Sequence, residues 1–432
     1  MGVRDRFTKE ERSWIFYDWA NSAYSIIIIT AIFPLFYESI APGEAYVPSL
    51  GFANSGASLL IAVLAPVLGT IADYRSTKKR LLSVFFALGV LTTLGLAFIA
   101  EGNWIGAIIV YVLSSVGFTG ANLFYDSFLV DVTPRERMDR VSAAGFGFGY
   151  IGGSTIPFIL TILMVVFHGQ LGFASTDGAF RAGFILTALW WALFSIPLFK
   201  NVRQQYWVEP SPTPIRDSFK RLADTFKRIR AYRNIFIFLV AYFFYIEGVN
   251  TIIRMATPIA TSMGIGQFAL IGILLGIQIT AFPFALLYGR LARFYSARRM
   301  IFVAIGIYTV VVFLAFFLPS VPSLVTRTVL FGVLALLVAS SQGGIQALSR
   351  SYFAKYVPRE NSGEFFGFYN IMGKFSSVVG PALVSLFTIL GGGETRYGIL
   401  SVLALFLVGG VLLSRTRRDE AGVEGAGDVS AG

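Results

Sequence analysis

The chain has no cysteine and a single histidine, His168, among its 432 residues. The first absence excludes disulfides, thiolate chemistry and cysteine-ligated metals. The second leaves His168 without a partner for a zinc site. No GxxxxGK[ST] phosphate loop is present, which argues against a self-contained ATP-driven pump. No HExxH, Ser/His pair or facing pair of aspartates suggests intramembrane catalysis, so the chain is not read as an enzyme and no cofactor or metal is expected. Charge is scarce as well, at 14% of residues. The ten-residue alternating segments of a membrane β-barrel are missing.

What the chain does have is apolar bulk: 55% hydrophobic and 16% aromatic residues, with a mean hydropathy of +0.70. Runs long enough to cross about 30 Å of hydrocarbon as helix recur along nearly its whole length. Twelve are expected, at 14–37, 53–73, 81–100, 104–125, 141–167, 180–199, 234–258, 266–289, 299–319, 325–346, 364–391 and 397–414. The fold class is therefore an all-α membrane protein. The formal net charge of +11 could suggest nucleic acid, but its distribution rejects that. Of the 35 Lys and Arg, only Arg181, Arg327 and Arg396 lie at odd-numbered connections, and only Arg254 and Lys374 lie inside runs. The positive-inside rule then places both termini in the cytoplasm. The glycine pattern in "GFGFGYIGG" (145–153) resembles a dinucleotide fingerprint, but it has no preceding strand and is read as close helix packing.

The longest connection, 200–233, carries the breaker string "VEPSPTP" and splits the runs six and six. The expected parts are an N-terminal half (1–199), this basic linker, a C-terminal half (234–415) and a disordered tail (416–432). The halves repeat each other. "GTIADYRSTKK" (69–79) matches "GRLARFYSARR" (289–299), "DSFLVDVTPRE" (126–136) matches "RSYFAKYVPRE" (350–360), and Asp18-x-x-Asn21 matches Glu247-x-x-Asn250. Across this alignment acids oppose bases: Asp73 with Arg293, Asp126 with Arg350, Asp131 with Lys355. With Gly69, these six form a candidate cytoplasmic gate, in which a two-fold axis along the membrane normal would bring the aligned charges together as a latch. The plain alternative is a set of solvated surface charges worth about 0 to 1 kcal/mol per pair.

On these residues the chain resembles the major facilitator superfamily over essentially its whole length. Its loop after the second run has that superfamily's signature at Gly69, Asp73, Lys78 and Lys79, and departs from it at Tyr74, where a base is usual, and at Ser76, where a glycine is usual. More narrowly, "YDWANSAY" (17–24), "YIEGVNTI" (245–252) and "QALSRSYFAKYVP" (346–358) resemble the vacuole effluxer-like family. The resemblance implies two six-helix halves and a secondary transporter, with amino-acid efflux as the activity of the fungal members. The chain is expected to be an integral protein of a bacterial inner (plasma) membrane working as a monomer, with a small-molecule substrate, the lipid bilayer and, on the proton-coupling reading of Glu247 below, protons as its partners.

Ionisable groups inside spans cost about 2.5 to 3.5 kcal/mol at mid-bilayer on insertion scales, which makes each a functional candidate. Glu247, Asn250 and Arg254 share one face of the seventh run, which is expected to look into the cavity between halves. Two readings of Glu247 stay open: proton coupling, or a permanent ion pair with Arg254 or Lys374. Asp18, Asn21 and Tyr24 form a matching stripe on the first run. For Asp18 three readings stay open: a helix-start acid, a gate residue, or a ligand for substrate or proton. Two acids and two bases suit a small zwitterion such as an amino acid, unless the four charges simply satisfy one another. A multidrug or other metabolite exporter and a transport-inactive receptor or scaffold are the alternatives.

Overall fold

The computed structural model describes residues 6–209, 216–217, 219–220, 223–224 and 232–416. About half of the linker (210–215, 218, 221–222 and 225–231) and nearly all of the proposed tail (417–432) therefore lie outside the described residues. Twelve long helical segments follow one another: α1 (Lys9–Ile40), α2 (Gly43–Ala72), α3 (Thr77–Phe98), α4 (Trp104–Val132), α5 (Arg135–Val166), α6 (Thr176–Asn201), α7 (Arg233–Ser262), α8 (Gln267–Tyr295), α9 (Ala297–Ser320), α10 (Leu324–Tyr356), α11 (Ser362–Leu390) and α12 (Thr395–Ser414). Ten of these contain, among the described residues, a stretch long and apolar enough to cross a bilayer. Leu, Ile, Val and Phe supply the outward faces, as Leu91, Val310 and Leu407 illustrate. Aromatic stacks such as Phe33 on Tyr111 and Tyr308 on Phe406 fill the interior.

The packing repeats. In the first six helices α1 packs on α6, α3 on α4, α2 on α4 and α5 on α6; in the second six, α7 packs on α12, α9 on α10, α8 on α10 and α11 on α12. Between the sets, α2 packs on α11 and α5 on α8, and α4 reaches α11 while α5 reaches α10. Each cross-contact has its counterpart under exchange of the halves, which is the signature of a two-fold axis. The ends of the chain share one face. Asn201 at the end of α6 donates to Ser13 Oγ near the start of α1 (2.9 Å), and Arg298 at the start of α9 donates to Ser414 O at the end of α12 (2.6 Å). We call this the termini face.

Local rules explain three details. α1 starts at Lys9, earlier than the apolar run, because Thr8 and Glu11 form a capping box. Asp18 accordingly lies roughly 14 Å into the helix, well past its first turn. The bases at odd-numbered connections also have local work. Arg181 donates to Ala97 O and Ile99 O, Arg327 to Val321 O and Met263 O, and Arg396 pairs with Glu394. Finally, Ser76 (φ 61°) and Ser296 (φ 70°) occupy the left-handed region at aligned positions of the two repeat loops. Ser76 thus takes a conformation that glycine adopts without cost. A β-branched side chain is poorly accommodated there, so Ser76→Val is expected to cost about 1 to 2 kcal/mol while Ser76→Gly is tolerated. Thermal unfolding in detergent measures the contrast, and equal melting of the two variants would contradict it.

Candidate gate and membrane site

Near the termini face, one arginine of the second half is inserted into the first. Arg350 lies roughly 9 Å from the end of α10 at 1.5 Å per residue, and only 3% of it is exposed. Its Nη2 donates to Asp18 Oδ2 of α1 (3.1 Å) and its Nη1 to Asp126 Oδ1 of α4 (2.9 Å). Its Nε donates to Ser142 Oγ of α5 (3.0 Å), and Nη2 also reaches Ser142 O (3.2 Å). The guanidinium lies over the rings of Trp14 (4.6 Å) and Phe146 (4.4 Å). A planar, always-charged fork with five donors suits this multidentate seat as lysine would not. Gly145 is required beside it, since a Cβ there would collide with Asp18 Oδ2.

Further contacts close the same face. Lys355 Nζ pairs with Asp139 of α5 at 2.5 Å, and Ser351 donates to the other oxygen of that carboxylate (2.6 Å). Asp73, fully buried, accepts from Gly363 N (2.7 Å) and Glu364 N (3.0 Å), so it caps the N-terminus of α11. Lys78, also fully buried, donates to Asp131 Oδ2 and to Ser362 Oγ, both at 2.8 Å. Gly69 and Gly363 meet backbone to backbone, each placed where a Cβ would strike the other's carbonyl oxygen. One turn deeper, Gly367 fits against Ala65 O and Pro66 in the same way.

Of the three aligned charge pairs, the structure therefore brings together Asp126 and Arg350. The Asp131–Lys355 expectation is corrected, since each finds another partner. Asp131 turns to Lys78 of its own half, Lys355 to Asp139, and Asp73 to the start of α11; Arg293 is exposed at the end of α8, one turn beyond Gly289. The reason is geometric. Residues related by a two-fold axis meet only if they lie close to it, and those farther out are separated by twice their distance from it.

Deeper in the membrane the polar stripes behave differently from expectation. Asn21 donates to Asn122 Oδ1 of α4 (2.6 Å). Tyr24 is fully buried, stacked on Phe118 (4.3 Å), and its hydroxyl accepts from Ser114 (2.9 Å), so it belongs to the packing of the first half rather than to a cavity wall. Glu247 is also fully buried, and Gly380 N of α11 donates to its Oε1. Asn250 is half-buried and Arg254 exposed, the latter roughly 31 Å along α7 toward the face opposite the termini. Lys374 lies on α11, but its side chain is outside those described. The glycine-rich stretch of α5 packs as read. Cβ atoms on Gly149, Gly152 and Gly153 would strike Ser22 or Trp19 of α1. Sequence reasoning missed Asp139 and Ser142. The first had a weak signal as an acid just past the repeated Pro-Arg-Glu, and the second had none.

The model of the family described as "Vacuole effluxer Atg22 like" matches residues 43–426. The chain belongs to that family. Among its relatives, the uncharacterized MFS-type transporter YxiO of Bacillus subtilis is 48% identical over 415 residues, covering 95% of each chain. Autophagy-related protein 22-1 of Neosartorya fischeri is 28% identical over 294 residues, covering 62% of this chain and 45% of the fungal protein, less than half the latter's length. Among solved structures, the major facilitator superfamily proton:xylose symporter XylE superposes with a TM-score of 0.68 at 13% identity, over 94% of both chains. The vacuole effluxer-like chain is thus a major facilitator superfamily transporter in fold and family, and not an enzyme.

Proposed function

We propose that the protein is a secondary transporter that moves a small zwitterion of the amino-acid type by alternating access, coupled to protons. It works in a bacterial inner membrane with both termini in the cytoplasm. The observation that carries the reading is the Arg350 seat: one side chain of the second half closes the termini face by bonding three helices of the first. Its release would open that face. α1 and α7, which the same axis relates, make no extended contact among the described residues, consistent with access from the opposite side in this state. The distribution of Lys and Arg supports a cytoplasmic termini face.

In this reading the halves 1–199 and 234–415 move as units, joined by 200–233. Asp18 serves the gate, and Glu247 takes and releases the proton. Arg254, the exposed base of α7, recognises the substrate carboxylate, with Lys374 as the second candidate. Reconstitution into liposomes with a metabolite panel and an imposed pH gradient tests this. Glu247→Gln is expected to keep substrate counterflow while losing gradient-driven accumulation, because the amide fills the same space without exchanging a proton. Accumulation surviving in Glu247→Gln would remove the coupling assignment, and counterflow confined to lipophilic cations would remove the zwitterion.

A further inference from the structure

The start of the linker is part of the same closure. After α6 the chain leaves the helix at Val202 and runs as irregular chain to Glu209 along the termini face. It is anchored to the first half by its backbone. Val208 N donates to Asp73 O (2.8 Å), alongside a parallel bridge between Tyr74 and Val208. Gln205 N and Tyr206 N donate to Asp131 Oδ1 at 2.7 and 3.1 Å. Lys79 Nζ donates to Val202 O (2.8 Å), Gln204 Nε2 donates to Ala72 O (3.1 Å), and Trp207 lies under Arg75 at 5.2 Å. These anchors are the carbonyls and carboxylate of the groups that meet α11 and Lys78. One side chain then crosses to the second half. The Tyr206 hydroxyl accepts from Arg359 Nη1, and the Arg359 guanidinium lies 5.0 Å from the Tyr206 ring centroid.

We propose that residues 202–208 act as a bolt on the termini-side gate, with Tyr206 and Arg359 as the positioning pair that sets how readily it opens. The inference rests on the alternating-access reading. A tether that only joined two halves would need slack; this one is fixed to the first half at several points before it touches the second. Separation of α11 from α2 must therefore break the Tyr206–Arg359 contact and bare Lys78 and Asp131, both buried beneath the segment. The charge-assisted hydrogen bond and the cation–π contact both favour the closed state.

The test uses the full-length chain, whose lack of cysteine gives a clean background for single thiols. Ala143 is 1% exposed and faces Gly289 on the α5–α8 seam, across the axis from the bolt. In Ala143→Cys, Tyr206→Ala or Arg359→Ala is expected to raise labelling from the termini side about tenfold, and the double variant no further. Tyr206→Phe, which keeps the ring, should raise it less. If a cysteine at Ala72, directly under the bolt, becomes reactive while Ala143→Cys does not, the segment is only a cover and the proposal fails. As the converse test, a short bismaleimide linking Tyr206→Cys to Arg359→Cys is expected to stop counterflow that the unlinked double variant still shows. Undiminished counterflow after linking would overturn the bolt. Absence of counterflow in every variant, with the Ala143 labelling pattern intact, would instead count against the transport reading while upholding the bolt.

Discussion

Arg350→Gln is expected to open the termini face. Removing the guanidinium leaves Asp18 and Asp126 in a nearly dry site with their shared cation gone, and breaking a buried ion pair from one side typically costs about 3 to 5 kcal/mol. That penalty is borne only in the closed arrangement, since on opening both carboxylates regain water. The closed population should therefore fall by a factor on the order of 100 or more at 1.4 kcal/mol per factor of ten. A thiol at Ala143→Cys reads this directly, and substrate turnover should fall with it because one of the two alternating states is no longer populated. Asp18→Asn and Asp126→Asn should each act more weakly, as Arg350 keeps its other acid and Ser142. Exchanging charges, Asp126→Arg with Arg350→Asp, should recover part of the closure that either single reversal abolishes. If the exchange is no better than the singles, the pair is not what holds the face shut.

Gly69→Val should have a comparable effect by an unrelated route. At Gly69 and Gly363 the obstacle to a side chain is a backbone carbonyl on each side, so no rotamer change can relieve the clash. Overpacking typically costs about 1 to 3 kcal/mol and more where nothing yields, and again the cost applies only when α2 and α11 close. Gly69→Val is thus expected to reduce turnover roughly 100-fold and raise Ala143→Cys labelling while leaving insertion and melting nearly intact. Gly363→Val should phenocopy it. Turnover close to that of the parent chain would mean that α2 and α11 do not need to approach this closely.

Ten helices of bilayer length among the described residues and the repeat in their packing were legible in the chain because both are one-dimensional signals: runs of apolar residues, and loop strings repeated in order. The partnership of Asp126 with Arg350 was legible for a related reason, since symmetry alone brings together aligned positions near the axis. Asp131 and Lys355 instead find Lys78 and Asp139, because the choice of partner there depends on helix tilt and on which loop folds underneath, neither of which the alignment encodes. Tyr24 shows a second limit. Its spacing from Asp18 and Asn21 puts the three on one broad stripe, but a helix wedged between two neighbours buries part of such a stripe, and Ser114 and Ser115 of α4 received the hydroxyl. Glu247 and Asp18 align in sequence yet differ in surroundings, because their neighbours Gly380 and Arg350 come from helices that are not each other's repeats.

The near-axis position also governs which half can assemble with which. Were the first half to pair with a second copy of itself in this geometry, Asp126 would confront Asp126. Two copies of the second half would set Arg350 against Arg350. Like charges meeting in a water-poor interface are strongly disfavoured. The opposite signs that the two repeats have acquired at this position therefore make each half a poor mate for its own kind and a good one for the other. A single pair of side chains thus helps a duplicated chain fold onto itself rather than exchange halves with its neighbours in a crowded membrane.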